Sequence, residues 1–182
     1  MGVKSTFFFK LHSEFYNLFE KEVLCKAQEI VELGHDVGLH FEYHFYNDSK
    51  KFQKNMIWEK KILEELLSIK VGVFSFDSPT LSDAINISNN KIGGMINTYG
   101  KKIKKKYHYC SDSNGYWRHE RLFDLIKDEK YRFLHVLTHP GWWQKSVMSP
   151  KMRVMRCLNE RSKRILETYD SILKETKRKN IK

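Results

Sequence analysis

The chain has 182 residues and a mass of 21.8 kDa, is 41% hydrophobic and 14% aromatic, and carries 33 Lys and Arg against 22 Asp and Glu, a formal charge of +11. That composition describes one soluble globular domain, residues 1–182, large enough to bury a core, and no window approaches the roughly 20 apolar residues of a membrane helix. Cys25, Cys110 and Cys157 lie far apart with no CxxC pair, which excludes a disulfide scaffold and predicts a reducing, cytoplasmic setting.

Lys4 and Lys10 bracket the short apolar run Phe7 to Phe9, so the start reads as a strand over Thr6 to Leu11 and not as a secretory signal. Val23, Leu24, Ala27, Ile30 and Val31 then recur at helical spacing, with Glu20 and Glu22 at the front and Gly34 just beyond the end. A strand is predicted at Val37 to Phe41, a polar loop around Asn47-Asp48-Ser49, and a second helix through Phe52, Met56, Leu63, Leu66 and Leu67. Val71 to Phe76 is apolar nearly throughout, the pattern of a strand covered on both faces in a parallel sheet.

Gly94 to Tyr99 and Lys106 to Cys110 are candidate short strands, and Lys101 to Lys106 reads as a solvated loop of like charges. A short helix is expected at Leu122 to Ile126 and a strand at Arg132 to Thr138. A long amphipathic helix should then run from about Met152 to Lys177, with Met155, Leu158, Ile165, Leu166, Tyr169, Ile172 and Leu173 on its apolar side. Strands alternating with helices predict an α/β fold with a mainly parallel sheet, open or closed into a barrel. The 25 lysines against 8 arginines place the charge on ammonium groups instead of planar guanidinium forks, so nucleic acid is not the expected partner.

Three stretches hold residues suited to chemistry. His40 and His44 stand four apart at the end of a strand, a spacing that puts both imidazoles on one side, where with a carboxylate they would suit zinc or a similar divalent ion. His139 ends an apolar strand and is followed by Trp142 and Trp143, whose faces suit sugar rings or, on a plainer reading, pack under the C-terminal helix. Asp112 lies in the turn-forming run Ser111 to Gly115, with Tyr116, Trp117 and Arg118 behind it, and can pair with Arg118 or orient another group.

Together these stretches resemble the NodB-type polysaccharide deacetylases, a carbohydrate esterase family with a distorted β/α barrel. Gly2 to Phe8 looks like that family's second strand, and Glu32 to His40 looks like the approach to its metal motif. His40 and His44 match its metal histidines, and Leu137-Thr138-His139 resembles the motif whose histidine is the general acid. Leu11 to Phe19, Ser111 to Arg118 and Thr138 to Trp143 are similar to deacetylase-like proteins of bacterial surface-polysaccharide clusters, those that make O-antigen and lipopolysaccharide.

The resemblance implies hydrolysis of an N-acylated sugar on a polysaccharide precursor, with a divalent metal, zinc by its ligands, on His40 and His44. It further implies His139 as acid, and Asp112, Trp117, Arg118, Trp142 and Trp143 against the sugar. The family's first strand, with its Asp pair, would lie before Gly2, so the barrel is expected to be N-terminally incomplete. Glu42, Asp36 and Asp77 are the local candidates for a third ligand, Glu42 lying on the opposite face if its segment is helical. Phe41 stands where Ser or Thr is usual, and Phe76-Asp77-Ser78-Pro79 replaces an arginine-proline motif. An inactive deacetylase fold or carbohydrate-binding module is the alternative, and an open strand edge predicts a homodimer.

Overall fold

A computed structural model describes residues 2–46, 51–81, 83–117 and 119–181. The chain is mixed α/β and divides into two compact units, Met1–His108 and Tyr109–Lys182. In the first, β1 (Thr6–Phe9), α1 (Lys21–Glu32), β2 (Asp36–Phe41), α2 (Phe52–Leu67) and β3 (Val73–Phe76) alternate. The short strands β4 (Lys91–Ile92) and β5 (Met95–Asn97) and the helix α3 (Lys101–Lys106) follow. The sheet order is β1-β2-β3-β5-β4, parallel at every pairing except the antiparallel β4 and β5.

Each element has a local cause. α1 stops because Gly34 takes a left-handed φ of 82°, which lets Gly34 N–H reach Val31 O at 2.9 Å and His35 N–H reach Ile30 O at 3.3 Å. These two bonds satisfy carbonyls that the helix end leaves open. β2 carries Gly38 opposite Phe8, and a Cβ there would stand 2.5 Å from the Phe8 ring. The Phe8 ring thus lies over Gly38, where any side chain would have to push it aside.

Phe74, Ser75 and Phe76 of β3 are all buried, as a strand covered on both faces should be. Leu39 and Phe41 of β2, Phe74 and Phe76 of β3, Met56 and Leu63 of α2 and Met95 of β5 form the dry centre of this unit. The lysine run Lys101 to Lys106 differs from its expected form: it is the helix α3, begun at Gly100, with all five lysines exposed. Ile103 sits half-buried amid them, which is enough to give the run a helical inner side.

The second unit contains all but the first residue of β6 (His108–Ser111), with α4 (Leu122–Lys127), β7 (Leu134–Leu137) and the long α5 (Pro150–Glu175). β6 and β7 form a two-stranded sheet. α5 starts on a Ser149 hydroxyl that accepts from Met152 N–H at 3.3 Å, with Pro150 at the first helical position. Among the described residues no helix is long and apolar enough to cross a membrane. All three cysteines are free thiols, Cys110 buried and the other two exposed.

Candidate functional site

In parallel α/β sheets the C-terminal strand ends form the binding face, because the connecting loops leave them open. Here the first residue past each of the three leading strands is charged: Lys10 after β1, Glu42 after β2 and Asp77 after β3. Parallel pairing in register brings them together. Lys10 Nζ lies 3.0 Å from Glu42 Oε2 and 2.9 Å from Asp77 Oδ2, and Asp77 N–H donates to Phe41 O at 2.8 Å. Tyr16 fixes the Lys10 backbone, its hydroxyl accepting from Lys10 N–H at 2.8 Å.

The two candidate metal histidines join this cluster from its flanks. His40, in β2, places Nε2 3.2 Å from Asp77 Oδ1; His44, in the turn Tyr43–Phe45, places Nε2 2.9 Å from Glu42 Oε1. Glu42 is in an extended conformation and not in a helix, so it shares the side of His44 instead of opposing it. Asp36 is at the other end of β2, exposed and paired with Lys4 at 3.2 Å, and takes no part.

The electrostatics match this geometry. The hydrogen bond from His40 foremost, and that from Lys10, hold the Asp77 carboxyl well below the usual carboxylate range despite burial. Burial alone would lower the Lys10 ammonium, but its bonds to Asp77 and Glu42 more than reverse that and raise it. The cluster is thus an ammonium between two carboxylates, each closed on its outer oxygen by an imidazole.

Behind it lies a layer that sequence patterns do not single out. Glu59 of α2 is 1% exposed, and burial pushes its carboxyl up to about 7 against the hydrogen bond from Tyr46, with Glu42 adding in the same direction. Tyr46 donates to Glu59 Oε1 at 2.6 Å, and His12 Nε2 is 3.1 Å from the Tyr46 hydroxyl. The His12 ring stacks on Phe45 at 3.8 Å. Tyr46 and His12 thereby pin the turn that carries His44.

A divalent ion implied by the resemblance does not fit these residues as they stand. The Nε2 atoms of His40 and His44 face different carboxylates, and the Lys10 ammonium sits between the carboxylates where a cation would bridge them. Among the described residues no three His, Cys, Asp or Glu side chains form a group able to hold a metal. His40 Nδ1 is buried and, among the described residues, has no hydrogen-bond partner.

The second unit holds a separate pair. Asp112, just past β6, is 5% exposed and accepts twice from one residue: from His139 Nδ1 at 2.6 Å and from His139 N–H at 3.1 Å. Asp112 N–H donates to Leu137 O at 3.2 Å, which keeps the two strand ends side by side. The carboxylate fixes the ring of His139 and leaves its Nε2 as the working nitrogen, on a side chain 43% exposed.

The aromatic residues near the pair divide. Trp142 is half-buried, with its ring centroid 6.4 Å from that of His139. Arg153 of α5 donates to Trp142 O at 3.0 Å and lies over its ring. Trp142 thus packs against α5, while Trp143 is 62% exposed. Trp117 lines an open hollow of about 490 Å³ with Arg121, Leu122, Phe123 and Ile126. Arg118 lies outside the described residues.

Two site features define the class: a mixed α/β protein with a charged cluster at parallel strand ends, and an aspartate-held histidine. No protein family, no curated protein and no solved structure matches the chain.

Proposed function

We propose that the protein is a deacetylase-like hydrolase that acts on an N-acylated sugar of a surface-polysaccharide precursor, with its strands belonging to a distorted β/α barrel of the polysaccharide deacetylase type. The observation that supports this reading is the Asp112–His139 pair. A carboxylate accepting from Nδ1 sets the tautomer of an imidazole and orients its Nε2. His139 Nε2 would then give its proton to the amine that leaves as the C–N bond breaks. Trp143, exposed beside this turn, offers an apolar face to a sugar ring.

The test is release of acetate and free amine from nucleotide-linked N-acetylated amino sugars, measured with and without added zinc. His139→Ala should lower the rate by about 10²-fold or more, the usual share of a general acid. No release by the intact chain under either condition overturns the reading. The β1 edge, which among the described residues pairs with β2 alone, is where a second copy would add; a monodisperse monomer by light scattering at high concentration counts against that part.

A second reading, a sugar-binding module of the same fold without hydrolysis, is favoured by one observation: Lys10 sits where a bridging cation would be. Calorimetric binding of the glycan, with no acetate released, would select it.

A further inference from the structure

We propose that the Lys10 ammonium is the built-in cation of the strand-end cluster and competes with any divalent ion for Glu42 and Asp77. The inference starts from the disagreement between the expected metal and the geometry, and it does not depend on the hydrolase reading.

All four carboxylate oxygens of the cluster are spoken for. Lys10 Nζ takes Glu42 Oε2 at 3.0 Å and Asp77 Oδ2 at 2.9 Å, His44 Nε2 takes Glu42 Oε1 at 2.9 Å, and His40 Nε2 takes Asp77 Oδ1 at 3.2 Å. The carboxylates accept only, so the imidazole nitrogens facing them present protons and not the lone pairs a metal needs. The side chains of Lys10, Glu42 and Asp77 are each about one-fifth exposed, at 21%, 17% and 20%, so the ion pairs are shielded from solvent on most sides. The Lys10 backbone is pinned by Tyr16. Moving the ammonium out therefore costs both of its charge-assisted hydrogen bonds.

Without the ammonium the balance reverses. Two carboxylates and two imidazoles from adjacent strand ends would remain, an N₂O₂ donor set of the chemistry that zinc accepts, with no positive charge between the acids. A divalent ion would relieve that repulsion better than water. With the ammonium in place the cluster is a self-contained ion-pair network; without it, both imidazoles must turn from their carboxylates before a metal could use them.

The test compares the full chain with Lys10→Met and, should that variant fail to fold by circular dichroism, with Lys10→Gln. Zinc affinity is read by calorimetry and cobalt coordination by its visible absorption. The neutral variant should bind one equivalent of zinc at least tenfold tighter than the unaltered chain, while Lys10→Arg stays at the unaltered level. Adding Asp77→Asn to the neutral variant should remove the gain. Equal zinc affinity in the neutral and unaltered chains overturns the proposal.

A measurement on the unaltered chain gives an independent result. Lys10 should acylate with acetic anhydride at least tenfold more slowly than the exposed Lys4, as read by peptide mass spectrometry. Labelling at equal rates overturns the proposal too. Because neither readout is acetate release, failure here is distinguishable from failure of the hydrolase reading.

Discussion

The two units solve the same problem, holding polar groups at strand ends, with very different amounts of support. In Met1–His108 the cluster of Lys10, Glu42 and Asp77 rides on three paired parallel strands whose inner residues Leu39, Phe41, Phe74 and Phe76 are at most 1% exposed. In Tyr109–Lys182 the Asp112–His139 pair rides on two strands, and among the described residues the buried ones are Cys110, Leu125 and Asp112 itself. α5 contains no buried residue, and Ile165, Leu166 and Tyr169 on its apolar side are about half exposed or more. An isolated pair of strands is marginal in water. Within the second unit the side chains of this site are held by polar contacts, the double acceptance by Asp112 and the bond from Arg153 to Trp142.

The largest effect should come from the first unit's centre. Phe74→Ala should cost about 4 kcal/mol, the usual loss for a fully buried aromatic, read by urea unfolding. A loss under about 1 kcal/mol would mean that the sheet is not what carries the cluster.

A somewhat smaller effect should appear as a pH dependence. Glu59 has an ordinary value of 4.5 and a folded value of about 7, so between those values the unfolded chain has lost the proton that the folded one keeps. Stability should therefore fall as pH rises through this window, by roughly 3 kcal/mol at the most. Glu59→Gln keeps an acceptor for Tyr46 and should flatten that slope. Asp77 acts in the opposite sense: its carboxyl is held below the ordinary 3.8, so its contribution is present above that pH and is lost on further acidification. A urea series from pH 4 to 8 that shows no difference between Glu59→Gln and the unaltered chain would remove Glu59 from the account.

The smallest effect should come from α5. Ile165 is 57% exposed, and Ile165→Ala should change stability by less than about 1 kcal/mol. A loss above about 2 kcal/mol would show that this face is covered in solution, and would erase the contrast between the units.

The local elements were largely legible. Helical spacing located α1, α2 and α5, Gly34 marked the end of α1, and the apolar run before Asp77 marked β3, because each rests on contacts a few residues apart. Asp112 and His139 were each visible as residues just beyond a strand, though not as partners. Lys10, Tyr46 and Glu59 were missed. The available signal was the charged residue directly after each of three strands, which the His40 and His44 spacing overshadowed.

What the sequence by itself determined is an α/β chain with a basic surface, free cysteines, and histidines placed at strand ends. Only the tertiary structure decided what those histidines face. Lys10 and Asp77 are 67 residues apart, and no local pattern records that β1 and β3 both flank β2. Parallel pairing set their registers and brought one ammonium between two carboxylates. In the folded chain His40 and His44 each face a carboxylate of the ion-pair network around Lys10.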